Sequence, residues 1–341
     1  MTREQQDSPT AGGPHIAVIG AGIAGLACAR ELAASGARAS VFERGRRAGG
    51  RLSSHDHDGG TFDIGAQYLT VHNEDFAKEV HRWASADVLR SWDPRLVELA
   101  NGQMQPLQST APRFVGAPTM QSIADFLGQG LKIQFGASVA ALQRDGAGWR
   151  LRDRDGHPLG AGAFDAVVLA LPSADALPLL EPDGALAARV ATVQWDACWS
   201  AMLALSRPSG IEFGGAFIND DPILAWAACE NSKPGRPGAN GVAERWVLHA
   251  RSSWSNNFID LPADDAARWM QRAFAARLAR PLAQKSCVAT CWRHAIPVNA
   301  LPEGHLWDAE QALGLAGDWF GGARVEHAFL SGYGLARAIA A

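Results

Sequence analysis

The stretch "HIAVIGAGIAGLACARELAASGARASVFE", residues 15 to 43, limits what this chain can fold into more than any other. A short apolar run ends on glycine, a segment with helical spacing follows and closes at Gly36, and "ARASVFE" reads as a second strand. This is a β-α-β unit, which requires a parallel sheet. Gly20, Gly22 and Gly25 stand in the G-x-G-x-x-G pattern, with Ala24 between the last two. Gly20 permits the tight turn, Gly22 lets backbone approach a diphosphate, and Gly25 lets the helix pack on the sheet. The helix N-terminus then faces the phosphates, and Glu43, ending the second strand, is placed to accept from a ribose hydroxyl.

The chain has 341 residues, more than one ordinary core holds, so a second domain is expected. The expected fold class is α/β: a Rossmann-type dinucleotide domain from residues 1–71, 110–175 and 300–341, with a substrate domain of α+β type inserted as 72–109 and 176–299. Further along, "QSIADFLGQGL" reads as a helix, "FDAVVLALP" as a buried strand, "ALGLAGDWFGG" as a last strand and "VEHAFLSGYGLARAIAA" as a closing helix. Asn101-Gly102 marks a hairpin in the first insert. The second insert is rich in tryptophan, and its loop "NSKPGRPGANG" (231–241) reads as a mobile surface excursion.

Hydrophobic residues make up 47% and charged residues 19%, which excludes a mostly disordered chain. A net charge of −4 excludes an extended basic nucleic-acid groove. Five scattered cysteines argue against a disulfide framework, and Cys287 and Cys291, lacking a second pair, argue against a metal site. The polar opening "MTREQQDSPTAGGPH" and the lack of a long apolar run lead to the expectation of a cytoplasmic protein, frayed at its N-terminus and without membrane or nucleic-acid partners. Oligomeric state is not legible.

Nicotinamide and flavin dinucleotides both use the glycine unit. Two features favour the flavin: a second glycine loop, "RGRRAGGRLSS" (44–54), and an acidic residue returning in "LAGDWFGGARVEHAFLSG" (315–332). An extended flavin needs contacts along its ribityl chain and ring system that a nicotinamide cofactor does not.

GAGIAG, Glu43-Arg44, "AGGRLSS" and "AGDW" together resemble the FAD-binding domain of the flavin amine oxidase and hydroxylase superfamily. With "FDIGAQYLT" and "WVLHARSSWS" added, the pattern is similar to the bacterial renalases over most of the chain. That resemblance implies non-covalent FAD and oxidation of the 2- and 6-dihydropyridine isomers of NAD(P)H to NAD(P)+, with O2 reoxidising the flavin to give hydrogen peroxide. The cofactor contacts it implies are Gly20, Gly22, Ala24, Gly25, Glu43, Arg44, Gly50, Arg51, Gly65, Ala66, Gln67, Val139 in the "GASVAAL" strand, Gly317, Asp318, Val325, Glu326 and Ala328. One block departs from the family pattern. In place of His-Arg-Trp with a nearby tyrosine, the chain reads "ATCWRHA", keeping Trp292 and placing His294 where the tyrosine falls.

A dihydropyridine loses hydride readily, because its ring nitrogen pushes the electron pair out and an aromatic cation results. Positioning therefore matters more than acid-base chemistry. Gln67, Tyr68, His249, Trp292 and His294 are the expected catalytic groups, with Arg251, Trp254 and Arg293 as substrate contacts. Each has a plainer role open to it: tryptophans in strands pack cores, His249 and Arg251 share a strand face that lines either a pocket or a solvated edge, and Asp318 suits a helix cap. Two other functions stay open. Amine oxidation needs an aromatic cage and a lysine near the flavin, yet the chain offers only Tyr68 and Tyr333 and four lysines in unpromising contexts. A redox carrier that merely holds FAD is the other.

Overall fold

The computed structural model describes residues 12–107, 111–181, 184–236 and 238–341. The expected frayed N-terminus over the first residues and the domain boundary between 109 and 110 lie outside them.

Two sheets organise the molecule. The first has six strands in the order Leu306–Asp308, Leu313–Leu315, Ala166–Leu169, His15–Ile19, Arg38–Glu43 and Lys132–Phe135. All neighbours are parallel except the outermost pair at the Leu306 edge. Alternation along its strands gives each face its own core. Ile16, Val18, Val41 and Val168 pack against helices Ile23–Ala34, Gln121–Gly128 and Val325–Ala340. Ala17, Ile19, Phe42, Val167 and Leu169 pack against Trp149, Leu151 and Phe164 of a three-stranded antiparallel sheet. The α/β fold class read from the sequence is thus observed, with a parallel sheet covered by helices on one side. The closing helix lies so tightly on the glycine helix that a Cβ on Gly332 would sit 1.9 Å from the Ala24 carbonyl oxygen.

The second sheet has seven strands, in the order Gln284–Pro297, Trp195–Leu205, Glu244–Ala250, Leu224–Cys229, Gly215–Ile218, Leu96–Ala100 and Gln103–Pro106. The last two form the hairpin expected at Asn101-Gly102, and both turn residues have positive φ, 52° and 72°. Its outer face carries Trp199, Ala201, Leu203, Trp246 and Leu248 against Met270 and Phe274 of helix Ala263–Arg277. Its inner face carries Met202, Ala204 and Val247 against Phe62 and Ile64. Trp226 and Ala228 of that inner face share a core with Ile16 and Val18 of the first sheet, and the segment following strand Gly60–Asp63 joins both cores through Ile64 and Leu69.

Two sequence readings are corrected at this level. Val139 is not in a strand; strand Ala141–Asp145 begins two residues later, and Val139 packs from a loop onto the face covered by the three-stranded sheet. The 231–241 loop is not a free excursion, because Lys233 within it is 2% exposed. Its Gly/Pro composition signals turns, but two charged side chains anchor it inward; Pro237 lies outside the described residues.

Candidate active site

The glycine turn has the geometry of a diphosphate cradle. Gly20 has φ +102°, and a Cβ there would lie 2.5 Å from the Ala170 carbonyl oxygen. A Cβ on Gly25 would lie 1.9 Å from the Gly20 carbonyl oxygen, so no side chain fits between helix and turn. Gly22 is different. It caps the helix in an extended conformation with no side-chain cap, and a Cβ on it would meet nothing within 4 Å. Open space at the unpaired amides of a helix N-terminus is what a phosphate requires. Glu43 closes the turn, accepting from the Ala21 amide at 2.8 Å and the Gly45 amide at 2.7 Å.

The second glycine loop lies across the first. Gly49 bridges to Gly22 and donates its amide to the Ala21 carbonyl at 2.8 Å. Gly49 and Gly50 both have positive φ, 122° and 54°. Arg51 then reaches the other end of the chain. Its guanidinium donates twice to the Asp318 carboxylate, both bonds 2.6 Å, and once to the Ala295 carbonyl at 3.0 Å. A bidentate pair of this kind fixes direction as well as distance. Asp318 is 5% exposed and is not the cap of the last helix, which is Arg324. Gly317 leaves room for the Trp319 indole, 2.5 Å from where its Cβ would be. Arg44 is exposed and pairs with Asp175 at 3.3 Å. The cradle, the second loop and Asp318 form one continuous edge of the first sheet, and this donor set fits an extended dinucleotide.

Several expected contacts have other work. A Cβ on Gly65 would strike the Arg51 carbonyl oxygen at 2.0 Å, and the Ala66 amide donates to that same oxygen at 2.9 Å. These small residues therefore serve the chain crossing at Arg51, and the Ala66 amide is not free for a flavin. The buried Glu326 carboxylate accepts from the amides of His72 and Asn73, each at 2.7 Å, so it holds the entry to helix Glu74–Ser85. Val325 and Ala328 share that first helical turn, Ala328 buried and Val325 packed at the core's edge.

Gln67 is 5% exposed and its amide is fully engaged. It donates to the Asp63 and Gly65 carbonyls and accepts from Lys233 Nζ at 3.3 Å. It belongs to a buried charged cluster that the sequence did not reveal. Lys233 Nζ lies 3.1 Å from Asp63 and 2.6 Å from Glu230, while Arg236 meets both carboxylates; all four side chains are at most 1% exposed. Burial alone would raise the Asp63 carboxyl, but Lys233 and Arg236 outweigh it and hold Asp63 below its ordinary range. For Glu230 burial wins, and its carboxyl is raised. Lys233 stands in an unpromising sequence context. It is deep in the molecule, yet its Nζ faces Asp63, Glu230 and Gln67.

Of the expected substrate contacts, three are placed elsewhere. The strand carrying His249 ends at Ala250, so Arg251 turns away and donates to the carbonyls of Asp221 and Ile218, the latter at 2.8 Å. Trp254, 7% exposed, packs in the outer core against the Phe258 ring, 5.3 Å away. Arg293 is exposed and pairs with Asp260, since neighbouring residues on a strand point to opposite faces and Trp292 takes the inner one.

The inner face carries Trp292, His249 and His294, and Tyr68 packs beside it against Trp226. Trp292 donates its indole N–H to the Ile64 carbonyl at 3.0 Å and packs on Phe62 and Ile64. His294 is half-buried beside the Trp195 ring at 5.9 Å and 3.9 Å from Asp175; burial lowers its pKa, opposed by Asp175. Trp195 in turn lies under the Arg51 guanidinium, 5.3 Å from ring centre to Cζ. Tyr68 is held between two indoles, 5.9 Å from Trp92 and 5.8 Å from Trp226.

His249 is pushed down to about 4, chiefly by burial, with the Ile64 backbone working the other way. It is neutral above about pH 5. Its Nε2, the Ser200 hydroxyl and the Trp226 indole N–H have no hydrogen-bond partner among the described residues. Each such group costs roughly 1–3 kcal/mol of desolvation when left unpaired. Gly65, Ala66, Tyr68, Cys198, His249 and Thr290 all remain partly exposed although central, which outlines a cleft between the two layers. Ser200, Trp226 and Trp92 were not singled out from sequence, because only pairing between distant strands brings them together.

These features match known proteins. A family model described as flavin containing amine oxidoreductase matches residues 100–340, and one described as NAD(P)-binding Rossmann-like domain matches residues 18–82. The putative protoporphyrinogen oxidase from Exiguobacterium sp. superimposes with a TM-score of 0.75 at 14% identity, over 96% of this chain and 98% of that one. Cyclohexylamine oxidase from Brevibacterium oxydans gives 0.69 at 14% identity, over 96% and 99%. At such identity the likeness is one of fold. Among curated proteins, a 4,4'-diapophytoene desaturase from Staphylococcus haemolyticus is 48% identical over 56 residues, 16% of this chain and 11% of the relative. The chain thus matches only about a tenth of the length of such relatives. None of the described helices is long and apolar enough to cross a membrane. The cradle that fits a dinucleotide and a family match over more than half the sequence agree: the chain belongs to the flavin containing amine oxidoreductase family.

Proposed function

We propose that this oxidoreductase acts on the 2- and 6-dihydropyridine isomers of NAD(P)H and returns them to NAD(P)+. FAD bound along the glycine edge would supply the hydride acceptor, and its reoxidation by O2 would yield hydrogen peroxide. The residues then have few tasks. Gly20, Gly22, Gly25 and Glu43 would hold the dinucleotide end, and Asp318, oriented by Arg51, would hold the ribityl part of the cofactor. Trp292 and the Ile64 segment fix the wall on which a planar substrate ring lies. No strong base is needed, because the substrate ring expels the hydride itself.

The observation that carries this reading is the neutral His249 on a partly open inner face. Hydride loss leaves a pyridinium cation, and a neutral imidazole does not repel it as an imidazolium would. A second reading, oxidation of an amine, is favoured by Tyr68 between Trp92 and Trp226, where an indole stands in for a second tyrosine of a cage. Its other requirement, a lysine beside the flavin, is not supported by Lys233, whose ammonium is enclosed by Asp63, Glu230 and Gln67.

The test is anaerobic mixing of the FAD-loaded protein with 6-dihydro-NAD, with ordinary NADH and with a panel of amines, following the visible flavin absorbance. Rapid bleaching by the dihydropyridine isomer is expected. Rapid bleaching by amines alone sinks the proposal in favour of the second reading.

A further inference from the structure

Three residues in one row across the second sheet each leave a buried polar atom without a hydrogen-bond partner among the described residues. Ser200 and His249 are directly opposite on neighbouring strands, and His249 is directly opposite Trp226 on the next. Thr290 faces Ser200 from the other side. Their strand neighbours Trp199, Ala201, Leu248 and Ala227 pack in the outer core, so the row itself faces the cleft. Ser200 is fully buried and Trp226 is 7% exposed, yet Ser200 Oγ, His249 Nε2 and Trp226 Nε1 have no hydrogen-bond partner among the described residues. One such atom is an ordinary imperfection of packing. Three adjacent ones on one face of three successive strands form an array.

We infer that the row Trp226, His249 and Ser200 is a recognition subsite for an uncharged carboxamide on a planar ring. The argument is an inventory of donors and acceptors. An indole only donates, a hydroxyl donates and accepts, and a neutral imidazole does one with each nitrogen. A carboxamide offers the complementary pair, an accepting carbonyl and a donating amino group. An ammonium group has only donors, and the nearby carboxylates of Asp63 and Glu230 are enclosed by Lys233 and Arg236. A carboxylate carries a full negative charge and would lie beside three neutral groups without a cation to balance it. The Trp226 indole, against Phe217 at 4.7 Å, adds a flat wall beside the row. The inference deepens the dihydropyridine reading, whose substrate ring carries a carboxamide, and rests on it for the identity of that ring.

The test uses three simple rings that differ in one group: benzamide, benzoate and benzylammonium. Each is titrated calorimetrically into the FAD-loaded protein and into its Ser200→Ala and Trp226→Phe variants. Benzamide is expected to bind tightest, and each variant to weaken it by about five- to tenfold. The subsite is overturned by benzoate or benzylammonium binding more tightly than benzamide, by no benzamide binding at millimolar concentration, or by both variants binding it like the parent. If Trp226→Phe fails to fold, Ser200→Ala and the parent ligand series still decide. Flavin bleaching by 6-dihydro-NAD separates the two claims. Selective benzamide binding without bleaching keeps the subsite and removes the dihydropyridine reading; bleaching with unchanged benzamide affinity in both variants does the reverse.

Discussion

Two polar regions meet the segment that follows Asp63, and they are built in opposite ways. In the cluster of Asp63, Glu230, Lys233 and Arg236, every charge faces an opposite one and no side chain is more than 1% exposed. In the row of Trp226, His249 and Ser200 every group is neutral and one polar atom of each is left over. Buried charges are tolerated only when paired, whereas an unpaired neutral group carries a smaller penalty that a ligand can remove. The first region is therefore closed and structural, tying the 231–236 loop to the chain beneath the cleft. The second is left unsatisfied, and its incompleteness is what suits it to binding.

That contrast predicts the largest effect in the closed region. Lys233→Met removes one cation from a site holding two carboxylates and leaves Glu230 with the Arg236 contact alone. Breaking a buried pair in this way costs about 3–5 kcal/mol, so chemical denaturation should show a large drop in midpoint. A loss below about 1 kcal/mol would mean that the cluster is more hydrated than its burial implies. The next effect belongs to the unsatisfied region and depends on pH. Burial holds His249 near 4 while the unfolded side chain titrates near 6.5, so between these values the unfolded state binds more protons. Stability therefore falls as pH drops from about 6.5 to 4, by roughly 1–3 kcal/mol from this group. His249→Asn should flatten that part of the stability profile; an unchanged slope would place the imidazole in contact with water.

How much of this was legible in the sequence follows from how far apart the interacting residues lie. The glycine turn, Glu43, the helix after Gly22 and the Asn101-Gly102 hairpin are local, and each residue type states its own backbone requirement. The pairing of Arg51 with Asp318 joins the two ends of the chain, and only resemblance put both at the cofactor. Trp254 and Trp292 look alike in sequence. The structure separates them because the strand before Trp254 stops at Ala250, while Trp292 sits within a strand that continues to Pro297. Arg251 is lost from the site by the same strand ending. The Gly/Pro-rich loop reads as a surface excursion because its composition reports turns and says nothing of the two carboxylates that draw Lys233 and Arg236 inward. Ser200 and Trp226 carry no motif. Their meaning lies in cross-strand register, which is set by pairing between segments distant in sequence.

The smallest expected effects sharpen the comparison most. Ser200→Ala removes a hydroxyl that is fully buried and unpartnered among the described residues. Deleting an unsatisfied polar group relieves its desolvation penalty, so stability should stay within about 0.5 kcal/mol of the parent or rise. Ser200→Ala is the counterpart of Lys233→Met: one removes a group with no partner, the other a group with three, at similar depth. If thermal melts show the serine variant destabilised by more than about 1 kcal/mol, Ser200 has a partner in solution and the row is closed like the cluster. Arg293→Ala supplies the baseline. Its guanidinium is 57% exposed and pairs with an Asp260 side chain that is 79% exposed, so its removal should change stability by less than about 0.5 kcal/mol. It should also leave benzamide binding unchanged, since Arg293 points away from the face that carries Trp292. A loss of binding in that variant would return Arg293 to the substrate side and require strand Gln284–Pro297 to present its other face to the cleft.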